Sequence, residues 1–173
     1  MCYQTAWTMT NKIRSAMADR DTDYKLAGLV KIDDGYFGGI DEGSGNVGRG
    51  TDKTPVIVAV SVDENDHPQY AKMEVVPSLT KETAGQFAVK HVEPSSTIIT
   101  DGLNIYTVVA ESGYEHQYVV TSENKEVALE TFKWVHTVIS NAKTFIEGTF
   151  HGLDAKHLQR YLDEFCYRFN RRY

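Results

Sequence analysis

Residues 29–39 read LVKIDDGYFGG. Apolar residues run into the paired acids Asp33 and Asp34 and then into a glycine-rich turn, the pattern of a short strand that carries carboxylates to its own end. The strand is expected over residues 29–32, with Asp33 at its C-terminal end. A second delivery of the same kind stands at residues 96–102, STIITDG, where a strand-like run stops at Asp101 and Gly102. A third polar group, His136, falls in a helical stretch, with Lys143 seven residues further on. Seven residues is close to two helical turns, so both side chains project from one side of that helix. Together, Asp33, Asp101, His136 and Lys143 read as a metal-dependent phosphodiester site on an α/β sheet.

The chain has 173 residues, 41% hydrophobic and 24% charged, which suits one globular domain with a real core. It has no apolar run of the length a membrane span needs and no basic-then-apolar leader. Cys2 and Cys166 stand far apart and form no CxxC pair, which argues against a disulfide framework or a zinc ribbon within this sequence. A reduced, cytoplasmic setting is expected. The net charge of −6 argues against a general nucleic-acid affinity, but its distribution is uneven. Lys156, Arg160, Arg168, Arg171 and Arg172 crowd the last eighteen residues against Asp163 and Glu164. Such a basic end is a candidate phosphate grip, with a solvated charged surface as the plainer alternative.

Residues 1–19 have helical periodicity, with Ala6, Met9, Ile13 and Met17 forming the expected buried stripe. Residues 20–24 read as a connector, and the helix before it as the remnant of an upstream DNA-binding region. The catalytic domain then occupies residues 25–173. Residues 41–53 are glycine-rich and of mixed charge, a surface loop within reach of a DNA backbone. Residues 55–62 and 69–76 are β-rich runs around a polar turn, and with the first strand they make an antiparallel meander. Thr80 can cap a helix running to about residue 92. Residues 96–100 form a short central strand, residues 103–112 a helix ended by Gly113, and residues 115–120 another strand. Residues 131–147 are helical up to Gly148, and Asp154 can cap a last helix with the stripe Leu158, Tyr161, Leu162, Phe165 and Phe169. Three strands, helix, strand, helix, strand, helix is the order of an α/β, RNase H-like mixed five-stranded sheet flanked by helices. Sites in open α/β sheets form beyond strand ends.

Cutting or joining DNA needs an activated oxygen nucleophile and charge stabilisation at phosphorus. Two divalent cations held by a few carboxylates supply both. Asp33 and Asp101 suit that role, although an aspartate ending a strand is more often a turn former. His136 is a softer ligand that favours Mn²⁺ over Mg²⁺ or acts as a proton shuttle. Lys143 would hold a phosphate. Tyr36, Phe37, Trp134 and Tyr161 are candidates for stacking on an unpaired base, against ordinary core packing. Cys166 reads as an inert core thiol. His151 and His157 read as structural.

The stretches TAWTMTNKIRSAM, KIDDGYFGG, KTPVIVAV, VEPSSTIITDG, GYEHQYVV and GTFHGLDAKHLQRYLDEFCYRFNRR resemble bacterial insertion-sequence transposases of the DDE superfamily over nearly the whole chain. The resemblance implies that Asp33, in a hydrophobic-Asp-acid-x-aromatic-aromatic-Gly-Gly pattern, is the first metal ligand and Asp101 the second. The third ligand precedes a lysine by seven residues in that group, and that lysine stands five before a Gly-Thr pair. Counting back from Gly148 gives Lys143 and then His136. Glu is usual there, with Asn and His also used, and Asn141 is the rival assignment. The resemblance covers the catalytic core alone. It implies Mg²⁺ or Mn²⁺, element ends and target DNA as partners, and a homo-oligomer on DNA. It also implies cleavage at the element ends followed by strand transfer from the 3′-hydroxyl. An inactive, truncated remnant that binds DNA or a partner without catalysis is the alternative, and a stand-alone RNase H-like nuclease is a third possibility.

Overall fold

The computed structural model describes residues 2–38, 53–120, 125–150 and 153–172. Nearly all of the glycine-rich loop, and His151 with it, lies outside the described residues. The elements follow in the order α1 (Tyr3–Thr22), β1 (Leu29–Phe37), β2 (Thr54–Val62), β3 (Pro68–Val75), α2 (Lys81–His91) and β4 (Thr97–Thr100). A 3-10 turn (Asn104–Tyr106) then leads into α3 (Thr107–Glu111), β5 (Glu115–Tyr118), α4 (Lys125–Thr131), α5 (Lys133–Phe150) and α6 (Ala155–Phe169). The sheet order is β3-β2-β1-β4-β5, with an antiparallel β1–β2–β3 meander and parallel β1–β4 and β4–β5 pairs. This is the RNase H-like arrangement.

Strand alternation sends side chains to two separate cores. Val56, Val58, Val60 and Phe37 face α5 and α6, where Val135, Ile139, Ala142, Leu158 and Leu162 complete the packing. Val30, Ile32, Ile57, Ala59 and Ile98 face α2 and α3, meeting Phe87, Ala88 and Val109. Because β2 is buried on both faces, its sequence PVIVAVSV has no polar alternation before Ser61. Thr80 caps α2 as expected, exchanging hydrogen bonds with Thr83 in a capping box. Gly113, at φ +87°, stands in the left-handed region just beyond α3.

Four boundaries differ from the sequence reading. β1 does not stop at Ile32. It continues through Asp33, Asp34 and Gly35 to Phe37, paired throughout with β2. The Asp-Asp-Gly composition suggested a turn, but the ladder to the β-rich partner outweighs that local preference. Asp33 is therefore the fifth residue of nine, not a strand end. Helix α1 runs to Thr22, past the expected connector. Residues 125–131 form a separate short helix, α4, and Gly148 lies inside α5 rather than ending it.

Helix α1 also buries a different face from the expected stripe, of which Ala6 and Met17 are only half-buried. Met9 and Ile13 are 47% and 49% exposed, while Asn11, Arg14 and Asp21 are buried. The reason is a polar seam with α6. The Arg14 guanidinium donates to Glu164 at 2.8 Å and lies over the Tyr161 ring at 4.0 Å. Arg160 reaches Asn11, and Arg171 pairs with Asp21 at 2.7 Å. A buried, bonded ion pair excludes its neighbours' apolar side chains from that face, so the α1 stripe turns outward.

The same seam accounts for the C-terminal basic cluster. Arg168 pairs with Glu164, Lys156 with Asp154, and Arg172 donates to the carbonyls of Pro68, Gln69 and Phe169. Arg168, Arg171 and Arg172, the candidate phosphate grip, thus all have intramolecular partners, with the Arg168 side chain still 64% exposed. Helix α6 lies along the outer edge of β3 and closes it with amide side chains. Gln159 accepts from Val75 N–H and donates to Met73 C=O; Asn170 accepts from Ala71 N–H at 2.7 Å and donates to Ala71 C=O. An edge strand left open is a template for unwanted pairing, and these two side chains stand in for the missing neighbour. Phe37 and Tyr161, offered as base-stacking candidates, belong to the core around α5 and α6 instead.

Replacing Asn170 by Leu removes both edge bonds and the 2.9 Å bond to Asp21. With the edge amide and the acid losing their partner, the expected loss is about 2–3 kcal/mol of unfolding free energy, read by urea denaturation at unchanged m-value.

Candidate active site

The site is set by how β1 is flanked. Its antiparallel ladder with β2 runs the full strand, but its parallel ladder with β4 pairs Leu29, Val30 and Lys31 with Thr97, Ile98 and Ile99. Beyond Lys31 the β4 side of β1 diverges, and Asp33 sits two residues past that point. The parallel register has an offset of 68 residues, and Asp101 stands at the same offset from Asp33. The two carboxylates therefore leave neighbouring strands at one level, one in mid-strand and one just after β4. Lys31, Asp33, Gly35 and Phe37 share the face covered by α5.

Helix α5 descends along that face. His136 Nε2 lies 3.0 Å from Asp33 Oδ2. One turn later Ile139 meets Gly35, and one turn after that the Lys143 ammonium lies 5.5 Å from the Phe37 ring centre. The predicted common side of His136 and Lys143 is thus the side laid on β1. Asn141, the rival third ligand, and His136 are both exposed, and it is His136 that makes the contact to Asp33.

Asp33 also accepts the Asp34 N–H through its other oxygen, Oδ1, at 2.8 Å, which fixes the carboxylate plane. Its side chain is 15% exposed and that of His136 is 48% exposed, so the pair opens to solvent from the helix side. Asp101 Oδ1 accepts the Leu103 N–H at 3.2 Å, and Gly102 at φ +77° turns the chain away. The structure brings Asp33 and His136 together. Among the described residues, however, no three His, Cys, Asp or Glu side chains are grouped to hold one metal ion. Asp101 reaches the same level of the sheet while its carboxylate is turned into its own Asx turn.

The hydrogen bond that the protonated ring donates to Asp33 holds the His136 pKa above the ordinary histidine value; burial opposes this, and the Asp33 charge reinforces it. A carboxylate oxygen and an imidazole nitrogen at hydrogen-bond distance are a donor set that suits a divalent cation in place of the shared proton. Cys166, by contrast, is a buried residue of α6, and burial pushes its thiol pKa far up, consistent with an inert side chain.

Sequence reasoning missed Gly35 and Ile139. The signal was present as period two: Lys31, Asp33, Gly35 and Phe37 alternate with Val30, Ile32, Asp34 and Tyr36, and glycine inside a strand marks a close approach by another element.

A family model described as an ISXO2-like transposase domain matches residues 25–170. No functionally curated protein matches the chain. Among solved structures, the Mos1 transposase paired-end complex with left transposon end aligns over 92% of this chain at 12% identity, with a TM-score of 0.38. The chain spans 58% of the length of that transposase chain.

The raised His136 value gives a signed pH dependence. The His136–Asp33 pair stabilises the metal-free protein fully below the ordinary histidine pKa, and that contribution is lost as pH rises through the raised folded value. Proton NMR should find His136 titrating above the ordinary value, and Asp33→Asn should move it down. A His136 that titrates identically in both proteins would show that the contact does not persist in solution.

Proposed function

Because the chain belongs to the family of ISXO2-like transposase domains, we propose that it acts in DNA transposition, cleaving at the ends of a mobile element and transferring the strand to target DNA. The observation that carries this reading is the 3.0 Å contact between His136 and Asp33, with Asp101 just after β4, the parallel neighbour of β1. In this reading Asp33, Asp101 and His136 hold Mg²⁺ or Mn²⁺ ions, which supply Lewis-acid activation of the attacking oxygen and neutralise charge at phosphorus.

The chain's own residues have separate tasks. Asp33 is oriented by the Asp34 amide and presents Oδ2 outward from mid-strand. His136 would have to be neutral to act as a ligand, giving up the proton it shares with Asp33. Asp101 would supply the second carboxylate. Lys143, on the same side of α5, holds a non-bridging phosphate oxygen as a point charge. Hydrolysis at the element end breaks a P–O3′ bond and frees a 3′-hydroxyl. That hydroxyl then attacks a target phosphodiester, so one ester bond replaces another and no external energy source is needed.

The catalytic unit in this reading comprises residues 25–173, with α1 joined to it through Arg14 and Glu164. Holding two element ends together requires at least two copies on DNA. The competing reading is a remnant that binds DNA without catalysis, and the observation that favours it is that, among the described residues, no three His, Cys, Asp or Glu side chains are grouped to hold one metal ion.

The test is incubation of the protein with element-end DNA and Mg²⁺ or Mn²⁺, followed by strand analysis. Metal-dependent nicking is expected, together with joined product on a plasmid target, and Asp101→Ala should reduce both to background. DNA retention without any metal-dependent product would establish the remnant instead. Nicking without joining would indicate a simple nuclease.

A further inference from the structure

We propose that Gly35 is a positioning residue: the absence of a side chain there lets α5 settle on β1 at the height that puts His136 against Asp33. The inference rests on the reading of Asp33 and His136 as a functional pair, but it concerns how the chain builds that pair.

A Cβ placed on Gly35 would lie 3.3 Å from Ile139 Cγ2, 3.4 Å from Ile139 Cδ1 and 3.5 Å from Phe37 Cε2. The first distance is tighter than ordinary van der Waals contact, so the helix or the isoleucine would have to give. Nothing else requires glycine here. Gly35 has no positive φ, it pairs regularly with Val56 in the β1–β2 ladder, and it is buried. Glycine in a strand interior loses packing and conformational entropy relative to any other residue, so its presence is explained by space and not by backbone geometry.

Ile139 is the lever. It stands three residues after His136 and four before Lys143, so all three occupy one side of α5. It is 8% exposed and packed in the core with Val135, Val138 and Ala142, so it has little freedom to turn aside. A residue that lifts Ile139 therefore lifts the helix, and the nearest polar contact to suffer is the 3.0 Å His136–Asp33 bond. Close-packed interiors transmit such displacements instead of absorbing them. The GYF segment of β1 thus acts through its first residue on a group more than a hundred positions later in the chain.

The test is a size series with second-site rescue: Gly35→Ala, Gly35→Val, Ile139→Ala, and each Gly35 variant combined with Ile139→Ala. The first readout needs no metal. It is the nitrogen-15 resonances of the His136 ring at fixed pH, with Asp33→Asn as the reference for a broken contact. Gly35→Val should move these resonances toward the Asp33→Asn positions, Gly35→Ala should move them part of the way, and Ile139→Ala should return both toward wild type. Ile139→Ala alone should leave them near wild type despite a lower melting temperature. The second readout is Mn²⁺ affinity, expected to weaken about tenfold in Gly35→Val and to recover on adding Ile139→Ala.

If Gly35→Val does not fold, Gly35→Ala and its rescued partner carry the test. Wild-type ring resonances in a folded Gly35→Val protein, or no recovery on adding Ile139→Ala, would overturn the assignment while leaving the Asp33–His136 pair intact. Identical resonances in wild type and Asp33→Asn would overturn both, because there would be no contact to position.

Discussion

The site depends on one asymmetry of β1. The strand is hydrogen-bonded to β2 along its whole length, but to β4 only through Lys31. Full pairing on one side keeps Asp33, Gly35 and Phe37 in strict alternation toward α5. Early separation on the other side leaves room next to Asp33 at the level where β4 delivers Asp101. A β1 paired fully on both sides would leave no gap between β1 and β4 at the level of Asp33. A β1 that ended at Ile32 would leave Asp33 on a turn, with no ladder to hold its direction. The observed strand avoids both outcomes, and α5 completes the arrangement by laying His136, Ile139 and Lys143 along the exposed half.

How much of this could be read from residues follows from the range of each interaction. The sheet was legible because β2 and β4 are rich in β-branched residues between turn signals, because β3 follows β2 across a polar turn, and because three strands ahead of the first internal helix imply a meander. The level of Asp33 and Asp101 was legible only as two acids after apolar runs; the common register is a property of the β1–β4 pairing and has no local signature. His136 was placed on the right side of its helix by the seven-residue spacing to Lys143. Its contact to Asp33 spans 103 positions and depends on the missing side chain of Gly35. The length of β1 was misread for a related reason: Asp-Asp-Gly carries a turn preference locally, and only the β2 partner overrides it.

Helix α1 and the C-terminal segment show the limit of periodicity more sharply. Apolar spacing in α1 is real, yet the buried face is the one with Asn11, Arg14 and Asp21, because α6 offers Glu164, Arg160, Asn170 and Arg171 to it. A hydrophobic stripe predicts burial only when the facing element is itself apolar. Likewise, a cluster of arginines and a lysine suggested a phosphate surface. Each has a partner inside the fold: ion pairs at Arg168, Arg171 and Lys156, the Asn11 side chain for Arg160, and backbone carbonyls for Arg172. Composition counts charges, but it does not reveal which of them are already neutralised. The specificity of the motif LQRYLDEFCYRFNRR is accounted for structurally. Leu158 and Leu162 fill the core, Gln159 and Asn170 close the β3 edge, and Glu164 and Arg171 hold α1.

An imidazole opposite Asp33 has a consequence that a carboxylate there would not. Two carboxylates at 3 Å repel unless one is protonated or a cation lies between them, so a site of that kind is held open or strained until metal arrives. His136 instead meets Asp33 with a proton, and attraction replaces repulsion in the metal-free state; the upward shift of its pKa is the measure of that attraction. The helix–strand contact is then satisfied before any ion is present, and α5 can pack on β1 through Ile139 without opposing charge. The same bond sets a competition, since a cation can take the Nε2 lone pair only after the proton leaves. The proton shared with Asp33 would therefore have to leave before His136 could take the metal role proposed for it, so the pair's contribution to folding and any metal uptake would draw on one hydrogen bond in opposite senses.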